Sequence, residues 1–527
     1  MNILFARARY SKALALLNLK NQIGSEKNFE KALESFDAVL KVNPEDAIAW
    51  QYRGNTLRYL DRPEEAIEAF ERALVLDPDN VLALYFKGLA LGYLNMPERA
   101  LDAFEGVLAR NSKHVGALYY SGLALNQLSR GEEALKAFTK AAELNPGNLR
   151  AWYYKGSILS SLEKHEEALE AYKNTLMIEP SHAGAWEGEA KAYLGLGRKK
   201  EALKACEKAL ELEPGSAYAW EIQGKILKGM GKKEEALGAF EKSLILEPGN
   251  ARNSIEKGRL LGDLGRCREA LEAFESALQM DNSINEAKVG KGKALLALGN
   301  YQQSLDFFRE TLEDEPENPE SWGGIGTCLL ALRRYHEALH AYEKAISIGL
   351  GNSSVLSGLG EVYYQLGDYS RALESFEKAI ELDPESVFAW NEKGNAFCKL
   401  EKYPKALEAY EMLLALDYES LPARYNRGVV LSRLKNRKKG FDESLENQLQ
   451  TFFKKYLELS GKVPEERITG EGWRYMGFAF AELGQYNEAL KAFNNAARIE
   501  PEDLFSRIYR GIALTCIKEY ETALEAF

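Results

Sequence analysis

The segment "HEALH", His336 to His340, contains residue types and a spacing that could bind a metal ion. Two histidines four residues apart lie on one face of a helix and could hold zinc, with Glu337 as a general base for hydrolysis. The spacing of the remaining histidines indicates no third ligand. The segment also fits a phrase that recurs along the chain, as in "EEALKAF" at 132–138 and "EEALEAY" at 166–172, where charged residues replace the histidines. We therefore expect both histidines on a solvated helix face and predict no metal site.

Two glycine-rich segments, 323–328 and 357–362, have the composition of phosphate-binding loops. Both fall inside predicted helices and follow no strand, so their backbone N–H groups are not arranged to cradle a phosphate. The sequence thus offers no catalytic residue, and we predict a protein that is not an enzyme and needs no cofactor.

The charge and the cysteine pattern disfavour several classes of protein. The 527 residues carry a net charge of −11, which disfavours a general binder of nucleic acid or of anionic membranes. Five scattered cysteines, none in a C-x-x-C pair, are typical of free thiols in a reducing compartment. The sequence contains no run of about eighteen apolar residues, which is the length needed to span a membrane. We interpret residues 1–20 as an amphipathic helix. We expect a cytoplasmic protein.

Glycine recurs every 34 residues over most of the chain, which indicates an internal repeat. The glycines of this series are Gly54, Gly88, Gly122, Gly156, Gly224, Gly258, Gly292, Gly326, Gly360, Gly394 and Gly428, with Ala190 in the one vacant slot. If the glycine is position 8, the first clear unit is 47–80. The seven tryptophans then all fall at position 4: Trp50, Trp152, Trp186, Trp220, Trp322, Trp390 and Trp473.

Each unit has the pattern of two helices separated by a turn. Positions 4, 8 and 11 share one face of a first helix, and positions 20, 24 and 27 share one face of a second helix. Position 20 is nearly always alanine and position 24 is usually aromatic, so small residues permit close approach and large ones fill the gaps. Proline at position 32 ends the second helix. Position 34 carries residues that favour helix N-caps: Asn80, Asn148, Ser216, Asn250, Asn318, Asn352 and Ser386.

This pattern resembles the tetratricopeptide repeat. Trp220, Gly224, Ala236, Phe240 and Pro248 match the family pattern within one unit, and the resemblance covers nearly the whole chain, although position 11 is more often leucine than tyrosine. The resemblance implies an all-α fold, an α-solenoid in which stacked antiparallel helix pairs form a right-handed superhelix. It also implies that positions 2, 5, 9 and 12 of the first helices line an inner groove, where such proteins hold extended peptides or partner helices.

The period divides the chain into four regions. These are a degenerate first repeat or cap at 1–46, a regular array at 47–434 whose last unit opens at 421, an extended helix with a loop at 435–469, and resumed units at 470–527. The last unit stops at Phe527 within its second helix. We expect that the native chain continues there or that a partner covers this end, and a second copy of the chain would make a homo-oligomer.

A row of basic residues lies on the predicted groove. Position 9 is basic in four successive units, at Lys191, Lys225, Arg259 and Lys293, and Lys228 adds a charge at position 12. Stacked repeats would align these charges into a site for acidic side chains or a terminal carboxylate. Alternatively, Lys191 and Lys225 form i,i+4 pairs with glutamates of their own helices.

Tyrosines precede the basic row. Tyr85, Tyr119 and Tyr153 stand at position 5, and Tyr59 and Tyr93 at position 13. They could anchor the apolar part of a bound segment. Alternatively, they pack between neighbouring units.

Two asparagines at position 9, Asn55 and Asn395, complete the candidate groove residues. Some members of the family bind a chaperone's terminal carboxylate through a set of lysine, asparagine and basic residues. Asn395 and Asn426 match that set, whereas Asn391, Glu471 and Tyr475 do not, so we do not predict that ligand.

These patterns predict a non-enzymatic interaction scaffold that binds extended peptides or partner segments in its groove, including partners with acidic segments. We expect no nucleic acid as a partner and no membrane insertion. The alternative is a targeting or regulatory arm of a larger enzyme whose catalytic domain lies beyond residue 527. A third possibility, single-stranded RNA bound by the tyrosines and lysines, lacks the electrostatic footprint of such proteins.

Overall fold

The computed structural model describes residues 11–12, 25–437 and 443–526, and these contain α-helices, one short 3₁₀ helix and no strand. The degenerate first repeat or cap predicted at 1–46 lies partly outside the described residues. The α-helices are α1 Ser25–Val42, α2 Ala47–Tyr59, α3 Pro63–Leu76, α4 Val81–Tyr93, α5 Pro97–Arg110, α6 Val115–Gln127, α7 Gly131–Leu144, α8 Leu149–Ser161, α9 His165–Ile178, α10 Ala183–Gly195, α11 Lys199–Leu212, α12 Ala217–Gly229, α13 Lys233–Leu246, α14 Ala251–Asp263, α15 Cys267–Met280, α16 Asn285–Ala297, α17 Tyr301–Asp314, α18 Pro319–Ala331, α19 Tyr335–Ser347, α20 Ser353–Gln365, α21 Tyr369–Leu382, α22 Val387–Lys399, α23 Tyr403–Leu416, α24 Leu421–Arg437, α25 Glu443–Ser460, α26 Gly470–Glu482, α27 Tyr486–Ile499, α28 Leu504–Cys516 and α29 Tyr520–Ala526.

The helices follow the sequence repeat: from α2 onward the even-numbered ones are first helices and the odd-numbered ones are second helices. Residue contacts divide the chain into two compact units, Met1–Leu260 and Leu261–Phe527. Within each unit, a first helix packs against the second helix of its own repeat and against the second helix of the repeat before it. The predicted all-α repeat fold is therefore confirmed.

The first helices begin where the predicted caps stand. The Oδ1 atom of Asn80 accepts a hydrogen bond from the backbone N–H of Ala83 at 2.9 Å, and Ser216 caps α12 in the same way. The other five predicted caps also accept a bond from the N–H three residues on. Two histidines that the sequence did not mark as caps, His114 and His182, use their Nδ1 atoms for this purpose. Such caps satisfy N–H groups that the helix itself leaves unpaired.

The core of each repeat is built around the glycine at position 8 and the aromatic ring at position 24. A Cβ atom on Gly224 would lie 2.8 Å from a ring carbon of Phe240, and one on Gly54 would lie 2.6 Å from a ring carbon of Phe70. Both rings are fully buried. The absence of a side chain at position 8 therefore makes room for the ring between the two helices.

The repeat with alanine at position 8 confirms this packing rule. Ala190 stands in the vacant slot of the glycine series, and position 24 of the same repeat is Cys206 instead of an aromatic residue. Both residues are buried. A methyl group at one position is thus accompanied by a smaller side chain at the other.

The tryptophans at position 4 join successive repeats. Each indole is partly buried. Six of them, from Trp50 to Trp390, donate their Nε1–H to the carbonyl oxygen of the proline six residues earlier, at 2.8–3.0 Å. The bond connects the first helix of one repeat to the loop that ends the repeat before it.

The repeat that opens at Leu421 is longer than the others. Its second helix, α25, has 18 residues and its first helix, α24, has 17, compared with 14 and 13 in a regular repeat. Phe453 takes the place of the aromatic at position 24, because a Cβ atom on Gly428 would lie 2.6 Å from its ring. The sequence pattern indicated the long second helix but not the long first helix, and residues 438–442 lie outside the described residues. The division of the chain at 46, 434 and 469 stays a prediction.

Candidate binding surface on the first helices

The segment 336–340, which has the spacing of a zinc-binding motif, lies on an exposed helix face. His336, Glu337 and His340 are all exposed on α19, and Glu337 forms an ion pair with Arg334 at 2.6 Å. Its hydrogen bond to Arg334 lowers the pKa of Glu337, which makes it a weaker base. The described residues contain no group of three or more His, Cys, Asp or Glu side chains that could hold a metal. His340 packs edge-on against Trp322, with ring centroids 6.1 Å apart.

The first helices form the more closely packed side of each stack. In the first unit α2 contacts α4 and α10 contacts α12, and in the second unit α18 contacts α20, in addition to the contacts with second helices. Side chains at positions 9, 12 and 13 of neighbouring first helices therefore lie on one continuous face. This face carries most of the residues that the sequence assigned to the groove.

The basic row of the first unit is largely paired with glutamates. Lys225 forms an ion pair with Glu221 on its own helix at 2.5 Å, as the alternative interpretation predicts. Lys228 pairs with Glu256 of the next repeat at 2.5 Å, and the same carboxylate lies 3.3 Å from Arg259. These ion pairs compensate much of the positive charge of the basic row.

Lys191 and Lys293 differ in their surroundings. Lys191 is exposed, and within the described ranges no ion pair joins it to a carboxylate. The carboxylate of Glu187, its expected partner, accepts a hydrogen bond from Ser216, the N-cap of the next first helix, instead. Lys293, in the second unit, pairs with Glu320 at 2.6 Å, and both side chains are more than half exposed.

Two of the tyrosines at position 5 pack onto the following repeat. The ring centroid of Tyr85 lies 4.8 Å from that of His114, and Tyr153 lies at the same distance from His182. Both histidines cap the next first helix, so the tyrosines contact the start of that helix. These contacts favour the interpretation that Tyr85 and Tyr153 pack between neighbouring repeats.

The other three tyrosines range from buried to exposed. Tyr119 is buried against Phe138, and burial raises its pKa to about 12. Tyr59 stacks on Phe29 with centroids 5.0 Å apart but keeps part of its ring in solvent. Tyr93 is 69% exposed. Tyr59 and Tyr93 are therefore the tyrosines of this set that present surface to a partner.

The two asparagines are held by neighbouring side chains. Asn55 accepts a hydrogen bond from Arg58 at 3.2 Å. The Oδ1 atom of Asn395 accepts from the Tyr410 hydroxyl at 2.6 Å and from Asn426 at 3.3 Å. The Nδ2 atom of Asn395 donates to Glu392 at 3.2 Å, so its amide is committed within the protein.

Two partly buried carboxylates lie near this amide cluster. Burial raises the pKa of Glu392, and the amides of Asn395 and Asn391 partly oppose that effect. Burial also raises the pKa of Glu361, and the charge of Glu392 raises it further. The first helices of the second unit thus carry amides and carboxylates as well as Lys293.

A cavity that sequence reasoning missed lies on the first-helix face of the first unit. It has a volume of about 430 Å³ and is formed by side chains of α2, α4 and α6 together with parts of α3 and α5. Its lining includes Leu89 and Leu123, both at position 9, and the exposed Tyr93. The sequence signal was present as apolar residues at position 9 and a glycine at position 12, Gly92, but only the fold brings them together.

Family models for the tetratricopeptide repeat match this chain along much of its length. One model matches residues 26–81, 53–92, 85–148, 127–176, 255–319 and 357–422, which together make up more than half of the chain. Three further models with the same description match residues 159–226, 317–385 and 470–503. The chain belongs to the tetratricopeptide repeat family.

Solved structures with similar repeats include proteins of different lengths. The crystal structure of YrrB, described as a TPR protein with an unusual peptide-binding site, is 27% identical, covers 36% of this chain and 96% of its own, and has a TM-score of 0.34. MamA from Desulfovibrio magneticus RS-1 is 23% identical over 32% of this chain and 96% of its own, with a TM-score of 0.31. Yeast Tom70 is 18% identical over 83% of this chain and 99% of its own, with a TM-score of 0.36.

A search among curated proteins found no match. Across the described residues, every helix is too short or too polar to cross a membrane. The repeat fold is of the kind that typically serves as a protein-interaction scaffold.

Proposed function

We propose that this protein is a non-enzymatic scaffold that binds extended polypeptide segments on the exposed face of its first helices. The observation that carries the proposal is the cavity formed by three successive first helices in the first unit, with a volume of about 430 Å³. A concave, mostly apolar cavity with a few polar groups at its edge is the usual form of a binding site. In a repeat protein such a site extends along the stack, because each repeat presents the same positions.

The hydrophobic core does not use the exposed positions of the first helices. The glycine, alanine and aromatic residues at positions 8, 20 and 24 fill the interior, whereas Tyr93, Lys191 and Lys228 are exposed on the first helices. Aromatic side chains on an accessible surface can contribute large contact area at low entropic cost. The face therefore combines a stable framework with side chains that are available to a partner.

The charges favour a partner segment with acidic residues. Lys191 has no ion pair within the described ranges, and the pair of Lys293 with Glu320 is more than half exposed. Exposed pairs of this kind contribute only about 0–1 kcal/mol, so an acidic partner can displace the glutamate at little cost. The proposal assigns Lys191 and Lys293 to contacts with carboxylates of the partner.

The proposal is tested with dodecapeptides selected on the purified chain from a random phage-displayed library. Their affinities are then measured by fluorescence anisotropy for Tyr93→Ala, Lys191→Ala and Lys228→Ala. At least one of these changes on the first helices should weaken binding about tenfold, which corresponds to about 1.4 kcal/mol.

The matched controls are Met177→Ala and Ile245→Ala, which remove exposed apolar side chains from the second helices α9 and α13. They should leave the affinity unchanged. Binding that responds to the changes on α9 or α13 and not to those on the first helices would overturn the proposal.

A further inference from the structure

We infer that the cavity over Leu89 and Gly92 is a specificity pocket that receives one large apolar side chain of a partner segment, next to a carboxylate of that segment. The inference rests on the proposed function, since it names the chemistry that one part of the first-helix face recognises.

The floor of the pocket is apolar. Leu89 and Leu123 lie at position 9 of α4 and α6, and Phe104 of α5 lies beneath them. Ala90, Ala100 and Ala124 complete the floor with small side chains. A partner group that fills this space exchanges water for carbon contacts, which favours leucine, methionine, phenylalanine or tryptophan over polar residues.

The pocket is open beside α4, which has glycine at position 12. A Cβ atom on Gly92 would meet no atom within 4 Å, so this part of the helix surface is open. Several other repeats carry a larger side chain at position 12, among them Arg58, Lys228 and Tyr364. Gly92 has no packing contact that explains it, and glycine lowers helix stability. The open space above it is therefore its one structural effect.

Arg58 places a positive charge at the edge of the pocket. Its guanidinium lies 4.7 Å from the ring centroid of Tyr59 and 5.4 Å from that of Phe86, which hold it in place. Its Nη2 atom donates to Asn55 at 3.2 Å, while its Nε–H is buried without a hydrogen-bond acceptor. In the described part of the chain no carboxylate forms an ion pair with Arg58.

Asp61 is an acidic residue in the lining of the pocket. The carboxylate of Asp61 interacts with the hydroxyl of Tyr93 and raises the pKa of that tyrosine. The edge of the pocket therefore offers a cation, Arg58, that has no ion pair with a carboxylate of the described residues. A carboxylate in the bound segment would satisfy Arg58 through charge-assisted hydrogen bonds.

The test uses Gly92→Leu in the full chain, with library-selected dodecapeptides as the probe. Leucine fills the open space and strengthens the helix, so the variant should fold with an unchanged or higher unfolding temperature. Its affinity for the peptides should fall at least tenfold. The matched control is Gly238→Leu, inside the second helix α13, where a Cβ atom also meets no atom within 4 Å. This control should bind as the wild type does.

Arg58→Gln tests the charge. It should weaken the same peptides several-fold at low salt and less at high salt, because screening reduces the contribution of the ion pair. The peptides selected on the wild type should share one large apolar residue beside aspartate or glutamate.

Three results would overturn the inference. Unchanged affinity of Gly92→Leu, together with weaker binding by Lys191→Ala or Lys228→Ala, would remove the pocket and keep the proposed function. Selected peptides without an apolar residue would do the same. A dimer in light scattering that Gly92→Leu converts to monomer would assign the pocket to a second copy of the chain.

Discussion

The contact between glycine at position 8 and the ring at position 24 sets the distance between the two helices of a repeat. Because a Cβ atom on Gly224 would lie 2.8 Å from Phe240, Gly224→Ala forces the ring or the helix to move. We expect this substitution to lower the free energy of unfolding by about 1–3 kcal/mol, measured by urea denaturation.

The natural pair of Ala190 and Cys206 provides the control for this substitution. In a Phe240→Cys background the ring is absent, so Gly224→Ala should be neutral or stabilising, since alanine favours the helix. A loss of stability that is equal in both backgrounds would show that the ring is not the cause.

Glu361 makes the stability depend on pH. Burial and the neighbouring Glu392 raise the pKa of Glu361 above its ordinary value of 4.5, so the folded state binds the proton more tightly than the unfolded chain. The contribution of protonated Glu361 to stability is present below the pKa of the unfolded chain and is lost as pH rises through the pKa of the folded state. Glu361→Gln should therefore raise the unfolding temperature at pH 7 and change it little at pH 4, measured by circular dichroism.

Glu337 provides a control with the opposite sign. Arg334 lowers the pKa of Glu337, so its contribution is present above the unfolded pKa and is lost as pH falls through the folded pKa. Glu337→Gln should slightly lower the unfolding temperature at pH 7. An unfolding temperature at pH 7 that Glu361→Gln lowers would contradict the assignment of an unfavourable buried charge.

The turn between the two helices of a repeat depends on one residue with positive φ. In the repeat of α12 and α13 this residue is Gly231, with φ of +79°, and a Cβ atom there would meet no atom within 4 Å. Gly231→Ala should therefore destabilise by about 1 kcal/mol through the backbone alone. Urea denaturation measures the change.

The helix that follows the turn contains a glycine with the opposite expectation. Gly238 lies inside α13, also with open space around its Cβ position. Gly238→Ala should stabilise by about 0.5–1 kcal/mol, because alanine favours a helix interior. The same sign for both substitutions would contradict this account of the turn.

Local signals made the helices predictable from the sequence. Caps such as Asn80 and Ser216, and prolines after the second helices, act within a few residues, so the bounds of α4 and α12 follow the period. The extension of α24 has no such local signal. In this repeat Gly428 contacts Phe453 instead of an aromatic residue 16 positions later, as in the regular repeats. That contact depends on packing between two helices and not on a local pattern.

The surface was less predictable than the helices because it depends on several repeats at once. The sequence left open whether the tyrosines at position 5 face a partner or pack between repeats, and Tyr119 is buried between Phe138 of its own repeat and Tyr154 of the next. The row of lysines was recognised, whereas the pairing of Lys228 with Glu256 joins two repeats and has no fixed spacing to reveal it. The cavity over Gly92 needs three successive first helices.

Stacking makes the stability of the protein a sum of repeats and of contacts between neighbours. Most repeats contribute their own contact between glycine and an aromatic ring, and tryptophans such as Trp220 link a repeat to the one before through a hydrogen bond to a proline carbonyl. A surface substitution in one repeat is therefore expected to act locally. This property allows the first-helix residues to vary while the framework is kept.

The most direct measurement is photo-crosslinking of the full chain with a selected dodecapeptide that carries a benzophenone side chain, followed by mass spectrometry. The account predicts crosslinks on first helices, concentrated at positions 9, 12 and 13, with Tyr93 and Leu123 among the modified residues. Crosslinks confined to second helices, such as α9 and α13, would contradict it.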